Sequence, residues 1–333
     1  MKNTFLCISL SLLLFCCPGR SSAFAVCRRP HDLERFNRRL IEAMRYGNVE
    51  RMRIILRRAG AEDAIPDWLM EYNRDLLSSC GRDAILFTSG TLDTIAGWYL
   101  QQIDRYRCDI TIVPAGMLSS PWFVLALAER DSIVMQCLDP GMPRIDIIEG
   151  GIPDTAPGQL PPGKSGGRAI PFDSTLNTAS NFTPASISWL MHLIGKNGFR
   201  RPVHLSLLCA AKLFTRPGDE FTLAGLTYRL AEEESRCDVA ATEAVLERAL
   251  GRFTFDTDEY LATKEADRII MQYAFLCKEV AAVHHEQGHY SRERDLIDTM
   301  RELADSCMIL DAETYDLMLE SERLTDVRKD PFK

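Results

Sequence analysis

Residues Asp83–Gln101 read DAILFTSGTLDTIAGWYLQ, and from Arg105 the chain continues RYRCDITIVPAGMLSSPWFVLAL. An apolar strand at Ala84–Phe87 meets a turn of small residues, Thr88, Ser89 and Gly90. Asp93-Thr94 then opens an amphipathic helix that ends near Ile103, and a second apolar strand follows at Ile110–Val113. This is a β-α-β unit. Two parallel strands joined by a crossover helix need a sheet covered by helices, which rules out most all-α and all-β arrangements. The first turn of such a unit is where an open α/β sheet takes a ligand or a partner.

The flanking sequence is helical on both sides. Leu33, Phe36, Leu40 and Met44 make one apolar stripe, Val49, Met52, Ile55 and Leu56 a second that ends at Gly60, and Trp68, Tyr72 and Leu76 a third after Pro66. Beyond Arg130 comes a Pro/Gly-rich interval, residues 139–172, with Gly150-Gly151, Pro161-Pro162 and Gly166-Gly167; its composition reads as a long surface loop. A helix at Pro184–Gly195 then leads through Arg201-Pro202 to a strand at Val203–Leu208, followed by Phe221–Leu230. In the last third, Ile269, Tyr273, Leu276, Val280 and Val283 face Leu296, Met300, Leu303 and Cys307 across a turn at Gly288, a helical hairpin like one unit of a helix-pair repeat. The expected fold is α/β: a three-layer unit with a short, mostly parallel sheet over residues 83–235, N-terminal helices over 26–82 and a C-terminal helical region over 236–333.

The N-terminus reads as an address. Lys2, the apolar run Phe5–Phe15 and Ala23-Phe24-Ala25 follow the order of a signal peptide over residues 1–25, cut before Val26. The run is about half of the ~20 residues that span a bilayer. Cys16 and Cys17 offer a lipoprotein alternative, although Phe15 stands where a small residue is expected. The expected location is therefore periplasmic or secreted, with no transmembrane span after cleavage. Loss of residues 1–25 removes Lys2 and Arg20 and no acid, leaving 37 bases against 47 acids and a charge of −10. That balance argues against nucleic acid as a partner. The basic stretch Arg28–Arg58, ten Arg against four acids, reads first as a solvated helix face, with docking to an acidic surface such as anionic lipid as the sharper alternative. The eight cysteines from Cys27 onward permit disulfides in an oxidising compartment, yet none forms a CxxC pair, and Cys209 and Cys277 sit inside apolar runs.

Several motifs recur together in one known family. The strand and turn Ile85-Leu86-Phe87-Thr88-x-Gly90, the pair Asp93-Thr94, Tyr99-Leu100-Gln101, Pro121-Trp122, Asn197-Gly198-Phe199-Arg200-Arg201-Pro202 and Gly225-Leu226-Thr227-Tyr228-Arg229-Leu230 appear here in that family's order. On these residues the chain resembles the soluble C-terminal region of large bacterial envelope membrane proteins related to protein O-mannosyltransferases. The resemblance implies an envelope setting. It does not reach the family's membrane half, where sugar transfer is expected, so glycosyltransferase activity is not carried over. The family's turn usually reads Gly-Asp-Asn-Asp-Thr, whereas this chain has Gly90-Thr91-Leu92-Asp93-Thr94, one acid and one amide fewer.

Two places invite chemistry. In the turn Thr88, Ser89, Gly90, Asp93 and Thr94, a strand-to-helix turn offers outward N–H groups, and Asp93 is suited to accept from a sugar hydroxyl or a peptide amide. The plainer reading makes Thr91 or Asp93 a helix cap. His285-Glu286-Gln287-Gly288-His289 matches H-E-x-x-H, which binds zinc from one face of an unbroken helix. Gly288 falls where the hairpin needs its turn, so the match reads as a helix end and no metal or other cofactor is expected. His192 and His204 read as core residues, as do Trp98, Trp122 and Trp189. Asn181-Phe182-Thr183 is a glycosylation sequon.

Two functions remain. One is an exported, non-catalytic envelope protein that binds a protein or glycan partner through the sheet's C-terminal edge and the helical end. The other is a carbohydrate-related enzyme or sugar-binding module using the Asp93 turn. A glycosidase needs two carboxylates about 5–10 Å apart. Only Asp93 has a positional argument, and the first reading is preferred.

Overall fold

A computed structural model describes residues 31–130, 182–213, 220–231, 235–251 and 264–307. The stretch 1–25 read as a signal peptide, Cys27, Cys137, the 139–172 interval and Asn181 lie outside the described residues.

Three helices come first: α1 (His31–Arg45), α2 (Val49–Ala61) and α3 (Asp67–Ser78). Phe36, Leu40 and Met44 bury the stripe of α1, and Met52, Leu56 and Ala59 that of α2. Asn48 starts α2 by accepting from the Arg51 N–H at 2.9 Å. Val49 departs from its expected place. It opens α2 beside the Asn48 cap, before the helix settles onto the core, and remains 41% exposed.

Strand β1 (Ile85–Thr88) is buried along its whole length and leads through α4 (Ile95–Gln102) to β2 (Thr111–Pro114), a 3-10 turn (Ala115–Ser119) and α5 (Pro121–Arg130). Gly97 lets α4 sit close on the sheet, since a Cβ there would lie 2.9 Å from Ile112 Cδ1. Helix α6 (Pro184–Asn197) begins with a reciprocal cap between Thr183 and Ser186 and ends at Gly198 with φ of 55°. It packs on the 3-10 turn after β2. Strand β3 (Val203–Ser206) follows.

The five strands run in the order β2-β1-β3-β5-β4, with β4 (Phe221–Ala224) and β5 (Thr227–Leu230). β1 is parallel to both neighbours, while β5 runs antiparallel to β3 and to β4. The chain therefore leaves β1 toward β2 on one side and later returns to β3 on the other. This makes the C-terminal end of β1 the switch point of the sheet.

Two expected strands are corrected. The stretch Val203–Leu208 stops being a strand at Ser206, because the Ser206 hydroxyl oxygen accepts from the Cys209 N–H at 3.0 Å and starts α7 (Leu207–Leu213). The stretch Phe221–Leu230 is a hairpin. Gly225 turns it with φ of 57°, in a space so tight that a Cβ would meet Ser79 Oγ at 2.4 Å. The outer edge of β4 is itself occupied, by bonds from Leu223 N–H to Arg236 C=O (3.1 Å) and from Asp238 N–H to Leu223 C=O (2.7 Å).

The C-terminal helices are α8 (Val239–Leu250), α9 (Lys264–Glu286) and α10 (Tyr290–Ser306). α9 and α10 form the expected hairpin, with Ile269, Tyr273, Leu276 and Val280 buried against Leu296, Met300 and Leu303, and Gly288 at φ of 77° in the turn. Buried Asp75 of α3 ties this region to the rest, accepting from the Tyr273 hydroxyl at 3.1 Å and lying 3.5 Å from Arg248 Nε. Among the described residues no helix is long and apolar enough to cross a membrane. The six described cysteines are free thiols, with Cys80, Cys209 and Cys277 buried.

Candidate functional site

The turn after β1 gathers its predicted residues, but turns their polar groups inward. Asp93 is 1% exposed. Its Oδ2 accepts from the Ser89 N–H at 2.7 Å and its Oδ1 from the Gly90 N–H at 2.8 Å. The Ser206 hydroxyl, at the C-terminal end of β3, donates to the same Oδ2 at 2.6 Å. Because Ser206 Oγ already accepts from Cys209, its hydrogen is left for the carboxylate. Thr88 and Thr94 share a hydrogen bond at 2.8 Å between their hydroxyls, and both are buried. Asn73 of α3 donates to the Leu92 carbonyl at 2.8 Å, and Asn37 of α1 to the Thr91 hydroxyl at 3.1 Å.

The N–H groups expected to face outward are thus taken by Asp93. Nor does Asp93 cap α4: it reaches back to the turn before the helix, and Thr94, at the cap position, makes no side-chain cap bond. The carboxylate works as a clasp that closes the turn and pins it to β3. Burial raises its pKa above the ordinary carboxylate value, against the opposing pull of the bonds from Ser206, Ser89 and Gly90. A ligand reaching Asp93 must displace at least one of these donors.

The other recurrent motif residues are cross-braces of the same kind. The Gln101 side-chain amide donates to the carbonyls of Arg107 (2.9 Å) and Ile110 (2.8 Å), shaping the loop into β2. Arg201 donates to the carbonyls of Asp83 and Ala84 (3.1 Å for the latter) and to the Thr111 hydroxyl at 2.8 Å, joining the N-terminal ends of β1 and β2. Asn197 holds the Arg201 backbone through its carbonyl at 2.8 Å and its N–H at 3.3 Å. The Leu226 N–H in the hairpin turn donates to Ser79 Oγ at 3.0 Å.

His204 is buried with both ring nitrogens engaged. Its Nε2 accepts from the Gly81 N–H at 3.2 Å, so Nδ1 carries the hydrogen and donates to Thr227 Oγ1 at 2.9 Å. Burial, with the Arg229 and Arg107 charges, pushes its pKa down to about 3, so the ring is neutral at pH 7. His192 packs edge-on against Trp189, and both are buried. Trp98 is buried too, while Trp122 is partly so.

The H-E-x-x-H residues span a helix end. α9 stops at Glu286, Gln287 and Gly288 turn, and His289 precedes α10. His285 Nδ1 pairs with Glu293 Oε2 at 3.0 Å, and Glu286 lies 3.4 Å from Arg236. His289 Nδ1 instead meets His284 Nδ1 at 3.3 Å, and His284 Nε2 faces Glu243, which also accepts from Arg292 at 2.8 Å. The motif's two histidines therefore do not converge. Among the described residues no group of three or more His, Cys, Asp or Glu is arranged to hold a metal ion.

Sequence reasoning misses Ser206, Asn73 and Asn37, which complete the turn. Each stands on a separate element, and no local spacing signals it.

Fold and site together define an α/β protein whose switch point is closed by its own side chains. Residues 69–133, from α3 past the end of α5, match the family model described as TMEM260-associated domain 2, a domain linked to TMEM260, which is classed with protein O-mannosyltransferases. No curated protein matches the chain. No solved structure does either.

Proposed function

We propose that the protein is an exported, non-catalytic component of a bacterial cell envelope that holds a protein or glycan partner at the C-terminal ends of its parallel strands and along its helical end. The observation that carries this reading is the commitment of Asp93. The acid best placed for chemistry at the switch point spends both oxygens on Ser89, Gly90 and Ser206. What the strand ends offer a partner is the half-buried surface of Thr91, Leu92, Gly116 and Met117, in the loops after β1 and β2. The outer edge of β4 is already paired, which favours the strand ends over that edge. The likeness to a domain linked with a protein O-mannosyltransferase supports a setting where glycans or glycosylated proteins are handled.

A photo-crosslinking residue in place of Thr91 or Met117, introduced in the producing cell, tests the proposal. The expected result is a discrete adduct with a protein or glycan at both positions and none at exposed Arg82, ahead of the N-terminal end of β1. No adduct, together with glycoside turnover by the purified protein that Asp93→Asn removes, would replace this reading with the enzyme.

A further inference from the structure

Three of the five large hydrophobic side chains exposed among the described residues lie within nine positions of one another: Tyr46 (73% exposed), Val49 (41%) and Ile54 (56%). Tyr46 and Val49 flank the Gly47-Asn48 turn between α1 and α2, where Gly47 takes φ of 64°. Ile54 follows on the outer face of α2. Water-facing apolar groups of this size need a reason when they cluster.

The residues around them are arginines. Over residues 31–61 there are eight Arg, no Lys and four acids, in a chain whose overall charge is −8. Ion pairs cross the outer seam between the helices, Arg51 to Glu42 at 3.7 Å and Arg35 to Glu62 at 3.1 Å, while Arg58 meets the same Glu62 from within α2. The exposed residues of α1 and α2 therefore form one continuous face. On α2, Glu50 sits near Arg53 and Arg57. Arg38, Arg39 and Arg45 are exposed and make no ion pair among the described residues.

We infer that this face docks on an anionic lipid surface, with Tyr46, Val49 and Ile54 set among the headgroups and the arginines on lipid phosphate. The chemistry favours that occupant over an acidic protein or a nucleic acid. Guanidinium forks grip phosphate oxygens two at a time, which ammonium does not. A tyrosine with an exposed ring suits the bilayer interface, where its ring is apolar and its hydroxyl wet. Apolar groups interleaved with the charges gain from a bilayer and gain little from a polyanion in water. The contact is peripheral, since neither helix is long enough to span.

The test is cosedimentation of the full chain with phosphatidylcholine vesicles, with and without phosphatidylglycerol. Binding is expected only when the anionic lipid is present, and it weakens as salt rises. The triple change Arg38→Gln, Arg39→Gln, Arg45→Gln should lower partitioning roughly a hundredfold, at about a factor of five per charge. The double change Tyr46→Ser, Ile54→Ser should also lower it while leaving the salt dependence in place. All five positions are exposed, and unchanged circular dichroism confirms that the fold survives. Equal binding to both kinds of vesicle, or none to either, overturns the inference. So does capture by polyglutamate or nucleic acid that is as tight as capture by anionic vesicles and indifferent to Tyr46 and Ile54. The crosslinking at Thr91 and Met117 reads a different surface, so either result can fail without the other.

Discussion

Asp93 is buried beside Tyr72, whose hydroxyl has no hydrogen-bond partner among the described residues and whose proton is held by burial and by the Asp93 charge. Truncating Asp93 leaves the Ser89 and Gly90 N–H groups and the Ser206 hydroxyl without their acceptor in a closed space. Asp93→Ala is therefore expected to cost about 3 kcal/mol, more than the ~1 kcal/mol of a lost helix cap, as read from urea unfolding. A loss below about 1 kcal/mol would mean that the turn does not depend on the clasp. Asp109 carries the clearest pH dependence. It accepts from Arg107 Nε at 2.9 Å and Nη2 at 3.0 Å, and these bonds hold its pKa down to about 2 from the ordinary 3.8. A depressed carboxylate stabilises the fold above its unfolded value and loses that contribution as the pH falls through the folded one. The stability difference between wild type and Asp109→Asn should thus be constant from neutral pH down to about 4 and shrink toward pH 2. A difference that stays flat across that window would detach Asp109 from acid stability. Asp93 itself is legible in the sequence as the acid of the first turn. Its partner is not, because Ser206 stands 113 residues further on and nothing local marks it.

At the scale of elements, periodicity finds the helices and misjudges their neighbours. The β-α-β unit, the three N-terminal helices and the α9–α10 hairpin all follow from apolar spacing, because each buries one stripe. The turn of β3 into α7 does not. Leu205 and Leu207 flank Ser206 alike, and it is the hydroxyl bond to Cys209 that marks the start of the helix. The β4–β5 hairpin hides for a similar reason, since its turn is only Gly225-Leu226, with one glycine to mark it, inside a run that otherwise reads as one strand. The His285–His289 stretch shows the opposite case, a motif whose spacing is right and whose backbone is not. Two histidines four apart share a face only on one helix, and here α9 ends between them. Protein purified without chelator is therefore expected to carry no stoichiometric zinc by elemental analysis. One zinc per chain, lost in His285→Ala, would show that the turn can rebuild itself around a metal.

For the whole molecule, the motifs that mark the resemblance turn out to be joints. Asn197 and Arg201 clamp the N-terminal ends of the parallel strands, Asp93 clasps their C-terminal ends, and Gln101 and Leu226 fix the loops between elements. These residues specify a framework that can serve several tasks, which is why they expose the fold more readily than the function. Export is the whole-chain expectation that separates an envelope role from any other. The mature protein recovered from the producing cell should begin at Val26 on N-terminal sequencing. A retained Met1, or a lipid on Cys16 or Cys17, would reject cleavage after Ala25.

The Asp93–Ser206 clasp also sets an order of events. The span that matches the family model, residues 69–133, ends before Arg201, His204 and Ser206, all of which it needs to complete β1's surroundings. It is a recognisable stretch of sequence without being a self-sufficient folding unit. Contacts this distant along the chain close slowly, because the entropy of the intervening chain must be given up before any bond offsets it. A nascent chain would carry the first β-α-β unit unclosed until β3 has been made. Under the export proposed above, that delay would keep the chain unfolded while it is threaded across a membrane.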